Sequence, residues 1–207
     1  MYIAVAGLIG AGKSTLVDKL AQNGCTVFEE PVNNNPFLSL YYDDPCRWSY
    51  TLQTYYLWER YKQSQEAYYR SLRGETTVVD SSIYSDMAFA IVQKRSKFFT
   101  AEEFETYLNM HKIIASQLAY PDMFIWLHLS TELALDRIKQ RSRECELDIP
   151  IGYLHELSAA YDEVLDRLNK HTHVVIIDAS KSVENVYSQV STAISNHRLG
   201  INNLNYQ

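Results

Sequence analysis

Cysteine is scarce in this chain: Cys25, Cys46 and Cys145 are odd in number and far apart. Such spacing makes neither a disulfide framework nor a zinc knuckle, and it predicts a reducing, cytoplasmic setting. Positive charge is also in short supply. Nineteen Lys and Arg against 25 Asp and Glu leave a net charge of −6, which argues against a broad basic surface and so against a nucleic-acid partner. A small anionic ligand needs only a local basic cleft. No apolar run is long enough to cross a bilayer, and Met1 leads into the first apolar segment with no basic flank, so no membrane partner is expected. Repeats, low-complexity segments and linkers are missing as well. None of His128, His171 and His173 is spaced with another ligand type as a metal site requires. These absences predict one domain over residues 1–207, with a dispensable tail from about Gly200 where Asn202, Asn203 and Asn205 gather.

Short apolar runs, rich in β-branched and aromatic residues, occupy residues 3–6, 25–28, 76–79, 123–127 and 174–177. Long amphipathic intervals separate them. This alternation predicts an α/β fold with a parallel five-stranded sheet and helices on both faces. Ligands of such sheets gather at the carboxyl ends of the strands, which directs attention to Glu29 and Glu30, Asp80, Ser130 and Asp178.

The first strand runs into Gly7, Leu8, Ile9, Gly10, Ala11, Gly12, Lys13 and Ser14. G-x-x-x-x-G-K-S between a strand and a helix is a phosphate-binding loop, whose inward backbone N–H groups hold phosphate oxygens. Lys13 is expected at the terminal phosphates and the Ser14 hydroxyl at Mg²⁺. From Thr15 the chain continues as a helix, with Leu16 and Leu20 on one face. Nucleotide binding, of ATP or another NTP, follows. At the end of the second run, Pro31 keeps Glu30 out of helical conformation, and a carboxylate facing the phosphate loop suits a general base that deprotonates an attacking hydroxyl. Two solvated strand-end charges are the ordinary alternative.

The phosphate loop, Glu30-Pro31-Val32, and the segment from Tyr41 through Asp44-Pro45-Cys46-Arg47-Trp48-Ser49 to Tyr55 together resemble the deoxyribonucleoside kinases of the deoxycytidine, deoxyguanosine and deoxyadenosine kinase family. The resemblance covers most of the chain. It implies a P-loop NTPase-type sheet with an arginine-rich lid, here about residues 139–150, and a small deoxyribonucleoside as substrate. By resemblance Glu30 is the base for the 5′-hydroxyl, Tyr42 and Glu146 hold the sugar 3′-hydroxyl, and Gln53 reads the nucleobase edge. An amide, donor and acceptor at once, is suited to that task. Gln53 and Arg60 stand two helical turns apart on one face, and the resemblance brings Asp86 beside Arg60. A charged pair at these positions resembles the deoxycytidine and purine deoxynucleoside kinases more than those preferring thymidine, where smaller or uncharged residues leave room for the 5-methyl group. The neighbouring Tyr50, Tyr55, Tyr56 and Tyr61 are read mostly as an aromatic packing face.

By the same resemblance Asp80 acts at Mg²⁺ with Ser14, although Asp80, Ser81 or Ser82 alternatively caps the next helix. Arg137, Arg141 and Arg143 belong to the lid, near a helix end that aims guanidiniums at the phosphates. Asp178 stands where the family's adenine-binding loop lies, and helices packed across a two-fold axis imply a homodimer. Two departures stand out. Ser81 occupies the place where the family usually has an arginine touching both the catalytic carboxylate and the transferred phosphate. One such preorganised donor is worth ~3 kcal/mol, so turnover is at stake more than binding. Cys145 replaces a common acidic residue.

Other readings make distinct demands. A GTPase needs Asn-Lys-x-Asp, which Asn169-Lys170-His171-Thr172 does not supply. A nucleoside monophosphate kinase needs further cations for the substrate's α-phosphate, and gives no role to Glu30-Pro31-Val32. A weakly active nucleotide-binding relative is the reading that Ser81 suggests.

Overall fold

The computed structural model describes residues 1–30, 35–143 and 146–200. The Pro31-Val32 turn, Cys145, and the tail beyond Gly200 with Asn202, Asn203 and Asn205 lie outside the described residues.

All five expected strands form: β1 (Tyr2–Gly7), β2 (Thr26–Phe28), β3 (Thr77–Asp80), β4 (Met123–His128) and β5 (His173–Asp178). They pair in parallel in the order β2-β3-β1-β4-β5. The central β1 is buried at all six positions, as its unbroken apolar run requires, whereas the edge strand β2 is half-buried throughout. Eight α-helices are seen among the described residues: α1 (Lys13–Gln22), α2 (Leu38–Asp43), α3 (Pro45–Leu72), α4 (Ile83–Arg95), α5 (Ala101–Ser116), α6 (Thr131–Arg141), α7 (Ile151–Leu168) and α8 (Val183–Arg198). The helices α1 and α8 pack on each other against the sheet, while α3, α4 and α7 form a separate packed group.

Local chemistry sets the ends that matter for the site. Asp44 accepts from the Arg47 N–H at 3.1 Å and Pro45 opens α3, so side-chain cap and fixed φ start the helix together. Because α3 then runs unbroken for 28 residues, Gln53 and Arg60 share its buried face. Ser82 is the N-cap of α4, exchanging hydrogen bonds with Ser85 in a capping box. Neither Asp80 nor Ser81 is needed as the cap, and the Asp80 carboxylate is left to meet Ser14. No described helix is long and apolar enough to cross a membrane.

Candidate active site

The phosphate loop ends with Gly12, at φ +91°, as the cap of α1. Gly10 has φ +85°, and a Cβ there would lie 2.7 Å from the Ala134 carbonyl oxygen. Both conformation and space therefore demand glycine. Lys13 Nζ donates to the Gly7 and Leu8 carbonyls at 3.0 Å each, folded over the loop. Ile9, Gly10, Ala11, Gly12, Ser14 and Thr15 line a cleft of about 570 Å³, with Gly7 and Leu8 beneath.

Asp80, at the carboxyl end of β3 and 2% exposed, meets Ser14 beneath the cleft lining. The Ser14 hydroxyl donates to Asp80 Oδ2 at 3.3 Å, and Oδ1 has no hydrogen-bond partner. Burial, and then the nearby Glu30 carboxylate, push the Asp80 carboxyl up to about 6, against the pull of Lys13, Ser14 and Arg60. An orphaned carboxylate oxygen beside a hydroxyl fits a hard divalent cation. Mg²⁺ takes few protein ligands and keeps waters and phosphate oxygens for the rest, so the lack of any larger ligand cluster among the described residues does not disturb the fit.

Glu30 approaches Asp80, and here it parts company with Glu29. Glu29 is exposed, with its backbone carbonyl accepting from Gln63 at 2.8 Å. Glu30 faces the cleft and pairs with Arg60. The Arg60 guanidinium, 2% exposed, also pairs with the fully buried Asp86, and it lies over the Tyr56 ring at 4.6 Å. Tyr107 donates its hydroxyl to Asp86 Oδ2, and Gln53 donates to the Asp86 backbone carbonyl at 3.2 Å. Complete burial drives the Tyr107 phenol well above its ordinary range, so it remains a donor at all working pH values.

The basic side of the cleft comes from α6 and the turn after it. Arg141 and Arg143 both pair with Glu146, which is 5% exposed. Arg137 donates to the Ala179 carbonyl at 2.9 Å. All three arginines, Glu146 and Tyr42 line the same cleft as the phosphate loop. Loop, two carboxylates, a buried ion pair and three arginines thus converge on one space of nucleotide dimensions.

Comparison with known proteins agrees with this convergence. A family model for deoxynucleoside kinase matches residues 3–198. The chain belongs to the deoxynucleoside kinase family. It is 36% identical over 185 residues to a deoxyadenosine kinase of Dictyostelium discoideum, covering 88% of this chain and 74% of that protein. It is 31% identical over 207 residues to the deoxyadenosine/deoxycytidine kinase of Bacillus subtilis (strain 168), covering 95% and 94%. A deoxyadenosine kinase from M. mycoides, solved with the products dCMP and a flexible dCDP, superposes with a TM-score of 0.84. It shares 28% identity and covers 95% of this chain and 100% of that one. The fold is accordingly the P-loop kinase sheet, and the chain is a phosphotransferase that carries a phosphoryl group from ATP to the 5′-hydroxyl of a deoxyribonucleoside.

Within this kinase fold, two sequence-level readings need adjustment. Asp178 does not line the cleft. Its Oδ1 accepts from the Ser180 N–H at 2.9 Å and its Oδ2 pairs with Lys181 at 3.4 Å, so it shapes the turn that presents Ala179 and Lys181 to the cleft. Tyr56, grouped with the packing tyrosines, instead lines the cleft over Arg60. Tyr50, Tyr55 and Tyr61 do pack as expected, against Phe99, Phe37 and Trp58. Sequence reasoning also missed Phe89, Gln93, Tyr153 and Tyr107. The first three line the cleft, while Tyr107 meets Asp86 from α5, 21 residues away in the chain. The apolar period of each helix marks a buried face, but not which buried face adjoins a ligand.

Proposed function

We propose that this kinase prefers deoxyadenosine, deoxyguanosine or deoxycytidine to thymidine, with Glu30 as general base. The observation that carries the preference is the buried Arg60–Asp86 pair beside Gln53. A guanidinium, a carboxylate and an amide offer donors and acceptors to the polar edge of a base, and they fill space that a 5-methyl group would need. The sugar 3′-hydroxyl is read by Tyr42 and Glu146, with Glu146 leaving its arginine partners as substrate enters. Glu30, facing the loop, accepts the 5′-hydroxyl proton as that oxygen attacks the γ-phosphate.

On the donor side, backbone N–H groups from Gly7 to Thr15 cradle the phosphates, Lys13 leaves the loop carbonyls for them, and Arg137, Arg141 and Arg143 neutralise charge as the phosphoryl group departs. Ser14 and Asp80 would hold Mg²⁺, which supplies charge neutralisation on the phosphates when bound. The turn bearing Asp178 receives the donor's base. A lid over about 139–150 excludes water from the closed site, and residues 1–207 act as one domain. Exposed Trp58, Tyr69 and Leu72 on α3 support a homodimer through helices, and the reducing-compartment cysteine pattern supports a cytoplasmic location.

The test is phosphoryl transfer from labelled ATP with Mg²⁺ to dA, dG, dC, dT and their monophosphates in parallel. Product on dA, dG or dC ahead of dT is expected. Transfer confined to dT would overturn the reading of Arg60 and Asp86, and transfer confined to monophosphates would move the acceptor assignment.

A further inference from the structure

Arg60 joins two groups with different tasks. One terminal nitrogen pairs with the fully buried Asp86, which the proposed function puts at the nucleobase, and the other pairs with Glu30, which lines the same cleft as the phosphate loop. Asp86 is firmly held, since Tyr107 occupies its second oxygen and it lies in the first turn of α4, where the helix dipole favours an anion. Glu30 is less constrained, with a side chain 21% exposed against 0% for Asp86. The buried Nε of Arg60 has no hydrogen-bond partner, and the guanidinium lies 4.6 Å from the Tyr56 ring centroid and 6.0 Å from that of Phe89. A carboxylate engaged by a guanidinium directs a lone pair at that cation, away from a hydroxyl it would deprotonate. Ser81 carries no charge with which to take over the ion pair.

We propose that Arg60 is a positioning residue that couples nucleobase recognition to the catalytic base: with the base pocket empty it holds the Glu30 carboxylate, and a nucleobase engaging Arg60 and Asp86 releases Glu30 to the 5′-hydroxyl. This rests on the assignment of Glu30 as general base. Its consequence is that the nucleobase contributes to turnover and not only to affinity, because its contacts free a group used in the transition state. A cleft holding ATP without nucleoside keeps Glu30 paired and so poorly able to activate water.

Dividing the substrate into pieces tests the coupling. Wild-type enzyme with Mg-ATP is given 1,2-dideoxyribose, a sugar without a base, with and without saturating free adenine, guanine or cytosine. A free base is expected to raise kcat for the sugar by about tenfold or more, the scale of one charge-assisted hydrogen bond, with little change in its KM. Arg60→Met is expected to abolish the stimulation. Because that change leaves Asp86 buried and unpaired, the double variant R60M/D86N, which removes both charges, is measured beside it with a thermal melt to verify folding. Glu30→Gln is expected to be insensitive to free base. Stimulation persisting in the folded double variant or in Glu30→Gln would overturn the coupling. So would a base effect confined to KM, or no effect in an enzyme that still phosphorylates intact deoxynucleosides. Failure of the wild type on every intact deoxynucleoside would instead overturn the Glu30 assignment together with the coupling.

Discussion

The two ends of the cleft are built of different materials. At the phosphate-loop end the lining is one contiguous loop, held by glycines with positive φ and by the helix that follows, and on the proposed function its backbone N–H groups bind phosphate. Around Arg60, the proposed nucleoside end, the groups are side chains brought together from α3, α4, α5 and the end of β2, nearly all buried. Phosphate is the same in every nucleotide, and a rigid strip of backbone suffices for it. Distinguishing one nucleobase from another requires donors and acceptors at set places, which only side chains on packed elements supply. The difference implies that damage at the phosphate end affects all substrates alike, while damage at the nucleoside end changes their ranking.

The largest effect is expected where the two ends meet. Glu30→Gln keeps the shape but removes the proton acceptor, and turnover should fall by about 10²–10⁴-fold while calorimetric titration still finds nucleoside binding. Unchanged turnover would remove Glu30 from the role. Ser81→Arg should act in the opposite direction, raising turnover by up to about 100-fold through a restored donor to the transferred phosphate. If steady-state rates do not rise, the departure at Ser81 has no catalytic cost.

Gly10→Ala sharpens the comparison at the phosphate end. Its Cβ would press on the Ala134 carbonyl oxygen, from a backbone conformation costing about 1–2 kcal/mol for a non-glycine residue. The KM for ATP should rise several-fold with every acceptor, measured across all four deoxynucleosides; a change with one acceptor alone would blur the distinction. Tyr107→Phe probes the other end by leaving an Asp86 oxygen unsatisfied, at a cost of about 1–3 kcal/mol. A lower melting temperature and an altered order of kcat/KM among nucleosides are expected, with the KM for ATP unchanged. An unaltered order would reduce Tyr107 to a packing residue.

The smallest effect concerns pH and stability. Burial lowers the His111 pKa from its ordinary value of 6.5, while the Ile83 carbonyl 2.8 Å from Nε2 pulls it the other way. Below 6.5 the unfolded chain then takes up more protons than the folded one, so this residue's contribution fades as pH falls, by at most about 1.4 kcal/mol per pH unit. Asp80 acts in the opposite sense: with its carboxyl raised to about 6, the free protein gains stability as pH falls from 6 toward 3.8. The difference between wild type and His111→Gln in urea melts at pH 7 and pH 5.5 isolates the histidine. It should shrink at the lower pH, and a constant difference would contradict the assignment.

The five strands, the phosphate loop and its helix were legible because each depends on residues adjacent in the chain: an apolar run long enough for a strand, or glycines spaced for one turn of backbone. The pairing of Arg60 with Asp86 was legible only through resemblance, since 26 positions and two helix ends separate them. The bridge from Arg60 to Glu30, the hydroxyl of Tyr107 on Asp86, the capture of Arg141 and Arg143 by Glu146 and the diversion of Asp178 into its own turn were not legible at all. The first two depend on how α3, α4 and α5 pack over the sheet, while the others join residues two to five apart in local turns, and in both cases a charged side chain takes whichever partner the fold leaves within reach. Local pattern decides what the backbone binds, whereas the partners of buried charges are settled by distances that exist only after the helices have docked.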